Sequence, residues 1–235
     1  MRPLEANQFD LAWDWYFAED GLFSAALFYK DLVNWHRAGQ FIADFSQFYI
    51  PGYHQVDDEN GNPVTPATFE GLVSFREDGL TGDVKGVELQ TIFPMRIVWD
   101  KLEGLGFIAT ATFINGDLDD GSSVPGLSDR NYSFTAYYER GGFEARIGWT
   151  KRSEYTTETR GLSLALTPTI DQGSKLLDAQ IGYDFGLAGH DGWLGGLSLA
   201  LQGQNLTNED TIQTNDDFRE VTQYQKFGAN YLLTA

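Results

Sequence analysis

The segment 131–150 restricts the possible folds of this chain more than any other. As two strands joined by a turn at 139–142, it alternates strictly between apolar and polar side chains. Successive residues of a strand point to opposite sides, so one face of this hairpin is apolar and the other is polar and charged. The apolar face would carry Tyr132, Phe134, Ala136, Tyr138, Phe143, Ala145, Ile147 and Trp149.

Aromatic side chains stand near both ends of each strand in this hairpin. A half-buried sheet of a soluble protein shows the same alternation. A strand that crosses a membrane adds aromatic residues at both membrane interfaces, over a length of roughly nine to eleven residues. Tyr132 and Tyr138 mark the two ends of the first strand, and Phe143 and Trp149 those of the second. The pattern therefore favours a transmembrane β-hairpin.

The same alternation recurs along the chain and predicts nine strands. They lie at 6–17, 22–31, 83–93, 105–115, the two strands of 131–150, 176–185, 197–205 and 227–235. The connections are alternately shorter (18–21, 94–104, 139–142, 186–196) and longer (32–82, 116–130, 151–175, 206–226). Outer-membrane barrels have short periplasmic turns and longer extracellular loops. We therefore predict an all-β fold, an antiparallel transmembrane β-barrel, of which this chain forms a part.

Composition excludes several other classes of protein. No apolar run approaches the ~18 residues of a membrane helix, which excludes a helical membrane protein. The net charge of −18 opposes binding to nucleic acid, and the absence of cysteine removes thiolate metal sites and cysteine nucleophiles. The first residues lack a signal segment, so an exported protein is expected to begin upstream of them.

Residues suited to catalysis or metal binding are sparse and scattered. The histidines are His36, His54 and His190, and no nucleophile-elbow sequence accompanies them. Acidic residues at 57–59 and at Asp117, Asp119 and Asp120 offer oxygen ligands, but they lack the spacing of a calcium loop, and solvated loop charge is the simpler interpretation. We predict no enzymatic activity, no cofactor and no metal centre.

The long connections combine aromatic side chains with acidic ones. A sugar ring has apolar C–H faces and hydroxyl groups, so a carbohydrate site needs exposed aromatic planes beside polar groups. The candidates for ligand binding are Trp35, Tyr49, Tyr53, Asp119 and Tyr155. Alternatively, these rings anchor the chain at the membrane interface or pack the loops together.

Several segments resemble the C-terminal part of the barrel of TonB-dependent outer-membrane receptors. They are LEANQFDLAWDWYF (4–17), GLFSAALFYKDL (21–32), GDVKGVEL (82–89), VPGLSDRNYSFTAYYERGGFEARIGWTKRSEY (124–155) and QGQNLTNE (202–209). Their order and spacing are similar to the family's nearly end to end, and the subgroup they resemble is tied to carbohydrate uptake in proteobacteria. The last strand departs from the family because it ends at Ala235 rather than at an aromatic residue.

The resemblance implies a location and a set of partners. The family's barrel has about 22 strands around a plug domain, and the TonB complex of the inner membrane drives transport through a short N-terminal box. Residues 1–235 would be the C-terminal portion of the barrel domain, without the plug domain and the first strands. Its partners would be outer-membrane lipid, the plug, the remaining strands, TonB and a small-molecule or oligosaccharide ligand.

The function implied is uptake of a scarce nutrient across the bacterial outer membrane, with an iron chelate, a vitamin or a glycan as cargo. A passive outer-membrane channel or structural barrel is the alternative. An outer-membrane hydrolase is a weaker third hypothesis.

Overall fold

Strands make up most of the regular structure in this computed structural model, which describes residues 1–50, 53, 56–65, 68–160, 166–215 and 219–235. In chain order they are β1 Glu5–Ala18, β2 Gly21–Asp44, β3 Val56–Asp57, β4 Pro63–Val64, β5 Glu70–Pro94, β6 Leu105–Leu118, β7 Arg130–Arg140, β8 Phe143–Arg152, β9 Tyr155–Arg160, β10 Leu166–Asp171, β11 Ser174–Asp184, β12 Ser198–Gln204, β13 Asp210–Asn215, β14 Val221–Lys226 and β15 Asn230–Thr234. Short 3-10 turns lie at Ser46–Phe48, Met95–Ile97, Asp100–Leu102 and Leu194–Gly196. No helix among the described residues is long and apolar enough to cross a membrane.

Nine strands form one antiparallel sheet in the order β1-β2-β5-β6-β7-β8-β11-β12-β15, which we call the main sheet. Each strand pairs with the next strand of this sheet along the chain, and the sheet is not closed. The remaining strands form a four-stranded sheet, β14-β13-β10-β9, here called the outer sheet, and the small pair β3-β4. The prediction of an all-β antiparallel fold with a partial barrel of nine strands is confirmed.

The strand register brings the apolar faces of neighbouring strands together. Leu11 is opposite Leu27, Leu27 is opposite Val87, and Val87 is opposite Phe113. A shift of one residue in any pair would move these side chains to the other face. The apolar face predicted for each strand is therefore continuous across the sheet.

No described part of the chain covers this apolar face. Phe134, Ile147 and Ile181 are 41%, 46% and 47% exposed. The chain has 15795 Å² of accessible surface, against about 10,600 Å² for a compact monomer of the same mass. The surplus excludes a sandwich in which a second sheet buries this face.

Aromatic rings follow the border of the apolar face near the short connections. Phe17 lies 5.6 Å from Phe93, Phe93 lies 5.3 Å from Phe107, and Phe107 lies 5.9 Å from Phe134, measured between ring centroids. These rings span β1 to β7, so they form a band across the sheet rather than an isolated pair. Such a band is typical of a transmembrane barrel at one of its two membrane interfaces.

The prediction of a loop at 32–82 is wrong over most of its length, although the strand extension expected within it at 69–75 is present in β5. β2 continues to Asp44 and β5 starts at Glu70, with Asp44 opposite Glu70. Register shifts around Trp35 mark the point where the regular alternation stops. Beyond this point both faces carry apolar as well as polar side chains, and Phe41, Ile42, Leu72 and Phe75 are exposed. The backbone ladder therefore persists without the strict alternation that would reveal it.

The predictions of loops at 151–175 and 206–226 are also wrong in part. Each contains a hairpin, β9-β10 and β13-β14, and β10 pairs with β13 to join the two hairpins into the outer sheet. These strands are rich in Thr and Gln, whose side chains fit a sheet but give no apolar alternation. At the far end, β15 starts at Asn230, three residues after the predicted start at 227.

Candidate functional site

The face opposite the apolar face carries a row of polar side chains linked across strands. The amide of Gln180 donates to Glu144 at 2.9 Å, and the amide of Gln202 donates to Gln180 at 3.1 Å. These bonds join β8, β11 and β12 on one face. Glu144 lies on this polar face, as the alternation of the segment 131–150 predicts.

A recess in the polar face is centred on Gly148. Among the residues that the structure describes, an added Cβ at Gly148 would meet only the Thr135 hydroxyl, at 3.7 Å. The recess has a volume of about 360 Å³ and offers both signs of charge and several amide groups. Its polar lining includes Thr135, Arg146, Thr150, Asp178, Gln180 and Gln202. Such a surface can form hydrogen bonds with a polar partner inside a barrel.

At the long-connection end, the polar face changes into a small hydrophobic core. Leu32, Val84, Leu118 and Val124 are buried together, and Trp35 packs against them. Val124 comes from the connection between β6 and β7, which therefore folds over this side of the sheet. The core holds that connection in place.

Arg37 links the extended β2-β5 hairpin to the same connection. Its Nε donates to Glu77 at 2.8 Å, and its Nη1 donates to Asp120 at 2.5 Å. Bonds from Ser122 lower the pKa of Asp120 below its usual value, and Arg37 lowers it further. The hydrogen bond from Arg37 to Glu77 raises the pKa of Arg37. The network carries a fixed pattern of charge at the end of the sheet.

A second cluster surrounds Tyr155 at the start of the outer sheet. The Arg152 guanidinium lies over the Tyr155 ring, 3.6 Å from the centroid, and donates to the Ser128 hydroxyl and the Gly126 carbonyl, both at 2.6 Å. Burial raises the pKa of Tyr155, and the nearby Asp171 raises it further. Tyr155 lines a cavity of about 240 Å³ with Asn115, Asp117, Ser123, Asp129, Glu154 and Thr156. This cavity is polar and predominantly acidic.

The predicted ligand residues occupy different environments. Trp35 is opposite Leu80, and the Asp119 backbone N–H donates to the Thr81 carbonyl at 2.9 Å. Trp35 of β2 and Asp119, just after β6, therefore lie beside the neighbouring β5 residues Leu80 and Thr81. Tyr49 packs against Phe69 at 5.1 Å between centroids, Tyr53 is 79% exposed, and Tyr155 lies in the acidic cavity.

Sequence reasoning missed Arg37 and Arg152, the two cations that organise these clusters. Arg37 binds residues distant in sequence, which no local motif reveals. Arg152 lies three residues before Tyr155, and this cation next to an aromatic residue was the available signal.

The histidines and acidic runs are engaged by other groups. His36 Nε2 lies 2.7 Å from the Arg2 carbonyl oxygen, and His190 packs against Phe185, whereas His54 lies outside the described residues. The Asp58 carboxylate accepts the backbone N–H groups of Asn60 and Asn62. In the part of the chain that the structure describes, no group of three or more His, Asp or Glu side chains is placed to hold a metal ion.

Comparison with known proteins identifies a family and a structural similarity to solved proteins. The family profile described as TonB dependent receptor-like, beta-barrel matches residues 1–206. No curated protein matches the sequence. The structure resembles P. aeruginosa FpvA, in its complex with a heterologous pyoverdine and Fe, with a TM-score of 0.60 and 14% identity. The match covers 99% of this chain and 27% of FpvA, so the chain spans about a quarter of that protein's length.

Proposed function

We propose, since the chain belongs to the TonB-dependent receptor-like β-barrel family, that it supplies wall strands and outer loops of a receptor that imports a scarce nutrient across the bacterial outer membrane. The observation that carries this proposal is the two-sided main sheet, with an uncovered apolar face and a polar face of linked side chains. A receptor wall needs both surfaces at once, because one contacts lipid and the other contacts water, plug and cargo.

The chain would form the C-terminal portion of the barrel domain. Among the described residues, β1 and β15 each pair with a strand on one side only. In lipid, every unpaired backbone group of such an edge costs several kcal/mol. Further strands of the complete receptor would satisfy both edges, and the plug domain would contact the recess around Gly148. TonB would supply the energy through the plug side of the receptor.

For the cargo we propose a polyhydroxylated ligand such as a carbohydrate. Support comes from the exposed ring of Tyr53 and from Tyr155, whose cavity offers acidic and amide groups that hydroxyls can bind. The net charge of −18 also supports a neutral cargo, because it repels anionic ligands. FpvA binds an iron complex, so a ferric chelate is the alternative to test beside it.

Uptake by the complete receptor tests this proposal. Cells that express it would be given a radiolabelled neutral oligosaccharide or a ferric chelate, with and without an active TonB complex. We expect saturable, TonB-dependent uptake of the oligosaccharide. Uptake that does not saturate and persists without TonB would favour a passive channel, and uptake of the ferric chelate alone would reject the proposed cargo.

A further inference from the structure

Basic side chains line the border of the apolar face at the long-connection end. Lys85, Arg130, Lys151 and Lys175 lie on β5, β7, β8 and β11. Each follows the apolar alternation of its strand: Lys151 lies two residues beyond Trp149, and Lys175 two residues before Leu177. They therefore project from the same side as the apolar residues, in the direction of the membrane rather than of the polar face.

The register places like charges next to one another within this row. Lys151 is directly opposite Lys175 in the β8-β11 pair, so their Cβ atoms are separated by only about 4.5–5.5 Å. Arg130 lies diagonal to Lys151, because Tyr132, two residues along β7, is the direct partner of Lys151. Like charges at directly opposed positions destabilise a sheet.

The three side chains of this cluster form no ion pair among the described residues, although the Glu209 carboxylate lies beside it and accepts the Lys175 backbone N–H at 2.9 Å. Lys85 pairs with Asp83 at 3.1 Å, but none of Arg130, Lys151 and Lys175 forms an ion pair with any residue that the structure describes. The chain has 34 acidic residues against 16 basic ones, so carboxylates are abundant. Three adjacent cations without a carboxylate partner among the described residues point to an anion supplied from outside the chain.

Position identifies the chemistry of that anion. Trp149, Leu177 and Tyr132 are the neighbours of the cluster on the apolar side. Once the apolar face lies in hydrocarbon, as the proposed function requires, rings and cations at its border lie at the level of the lipid headgroups. Phosphate is the anion of that layer, and guanidinium and ammonium groups bind it through charge-assisted hydrogen bonds.

We propose that Arg130, Lys151 and Lys175 bind a phosphate group on the headgroup of a membrane lipid, at the long-connection side of the barrel. The lipid's acyl chain would lie along the adjacent apolar surface of Trp149 and Leu177. The phosphate offsets the repulsion between the two lysines, so the lipid stabilises a part of the wall that is strained without it.

The test uses the complete receptor, purified in a mild detergent. The variant R130Q/K151Q/K175Q is compared with K30Q/K101Q/K226Q, which removes the same charge away from the cluster. Bound phospholipid and phosphorylated glycolipid are counted by mass spectrometry and phosphate analysis. We expect the cluster variant to bind the added phosphorylated lipid roughly tenfold more weakly and the control to bind it as the wild type does. Equal binding by all three proteins would overturn the proposal.

A second measurement separates lipid binding from a purely structural role. Unfolding of the single variant K151Q is followed in detergent alone and with phosphorylated lipid. Removing one of two opposed lysines should raise stability in detergent and abolish the stabilisation that the lipid gives to the wild type. If a dephosphorylated lipid also stabilises the wild type but not K151Q, a phosphate site on the headgroup is rejected. Stabilisation of the wild type by inorganic phosphate alone would reject it as well. Heat-dependent gel migration shows separately whether the wild type assembles in outer membranes. If it does not assemble, the proposed function is rejected rather than the lipid site.

Discussion

Arg152 covers the ring of Tyr155, with its guanidinium carbon 3.6 Å from the ring centroid. The same guanidinium donates to Ser128 and Gly126 in the connection between β6 and β7. One side chain of the main sheet thus holds both this connection and the start of the outer sheet. The Gly126 N–H completes the junction by donating to the Thr156 carbonyl at 2.7 Å.

Replacing Arg152 with Ala should loosen this junction. The variant loses a cation–π contact and two charged hydrogen bonds, so the free energy of local opening should fall by about 1–3 kcal/mol. Hydrogen exchange at Gly126 and its neighbours measures this opening. The control is Arg219→Ala, which removes the exposed ion pair with Glu154. It should change the free energy of local opening by less than about 1 kcal/mol. Equal effects would contradict the role given to Arg152.

Charge on the apolar face should hinder membrane assembly. Ile147→Arg places a cation where the side chain is opposite Ala136 and Ala179, with an expected cost of about 2–4 kcal/mol at the bilayer midplane. Thr135→Arg, on the polar face, should be tolerated. Unfolding of the complete receptor in lipid bilayers measures both variants, and similar losses in the two would reject the assignment of faces.

The turn between β7 and β8 needs glycine at one of its two positions much more than at the other. Gly141 and Gly142 have φ of 59° and 80°. A Cβ at Gly142 would collide with the Asp184 carbonyl oxygen, whereas a Cβ at Gly141 would meet no atom within 4 Å. Gly142→Ala should therefore lower the free energy of unfolding by more than about 1 kcal/mol. Gly141→Asn should be nearly neutral, because Asn tolerates positive φ; the reverse order would disprove this account.

The Asp120 carboxyl should titrate below its usual range. Its pKa is lowered first by Ser122 and then by Arg37. A depressed pKa in the folded state contributes stability above the unfolded pKa, and this contribution is lost as the pH falls through the folded pKa. In a ¹³C-detected titration, Ser122→Ala and Arg37→Gln should each raise the pKa of Asp120. An unchanged pKa in either variant would remove that residue as a cause of the low pKa.

Trp35 and Tyr53 should respond differently to truncation. Trp35 packs on the small core, so Trp35→Ala should destabilise the protein by about 2–4 kcal/mol. Tyr53 is 79% exposed, and Tyr53→Ala should change the stability by less than about 0.5 kcal/mol. If Tyr53 stacks on the cargo, its variant should bind ligand about threefold to tenfold more weakly, measured by calorimetry. Unchanged affinity would remove Tyr53 from the ligand site.

The sequence was sufficient to predict the main sheet because a membrane wall imposes a repeated chemical constraint. Every strand that crosses lipid must alternate, as Leu11, Leu27 and Val87 do on neighbouring strands. That constraint ends where a strand runs past the apolar face of the main sheet. The extension of β2 to Asp44 and the whole outer sheet therefore left no periodic signal, although their backbones are paired as regularly as those of the wall.

The candidate site was less predictable because its contacts join distant parts of the chain. Arg37 and Asp120 are 83 residues apart, and their pairing follows from how the β6-β7 connection folds over β2 and β5. The aromatic residue types of Trp35 and Tyr155 were visible in the sequence, but the packing partners that separate a core ring from an exposed one were not.

The agreement between spatial order and chain order in the main sheet has a consequence for assembly. Because each strand of the main sheet pairs with the strand of that sheet that precedes it in the chain, no threading through a preformed structure is needed. A nick inside the β6-β7 connection would leave two pieces whose complementary edges are the facing sides of β6 and β7. Co-expressed halves should therefore reconstitute the sheet through the backbone hydrogen bonds of the single β6-β7 pair.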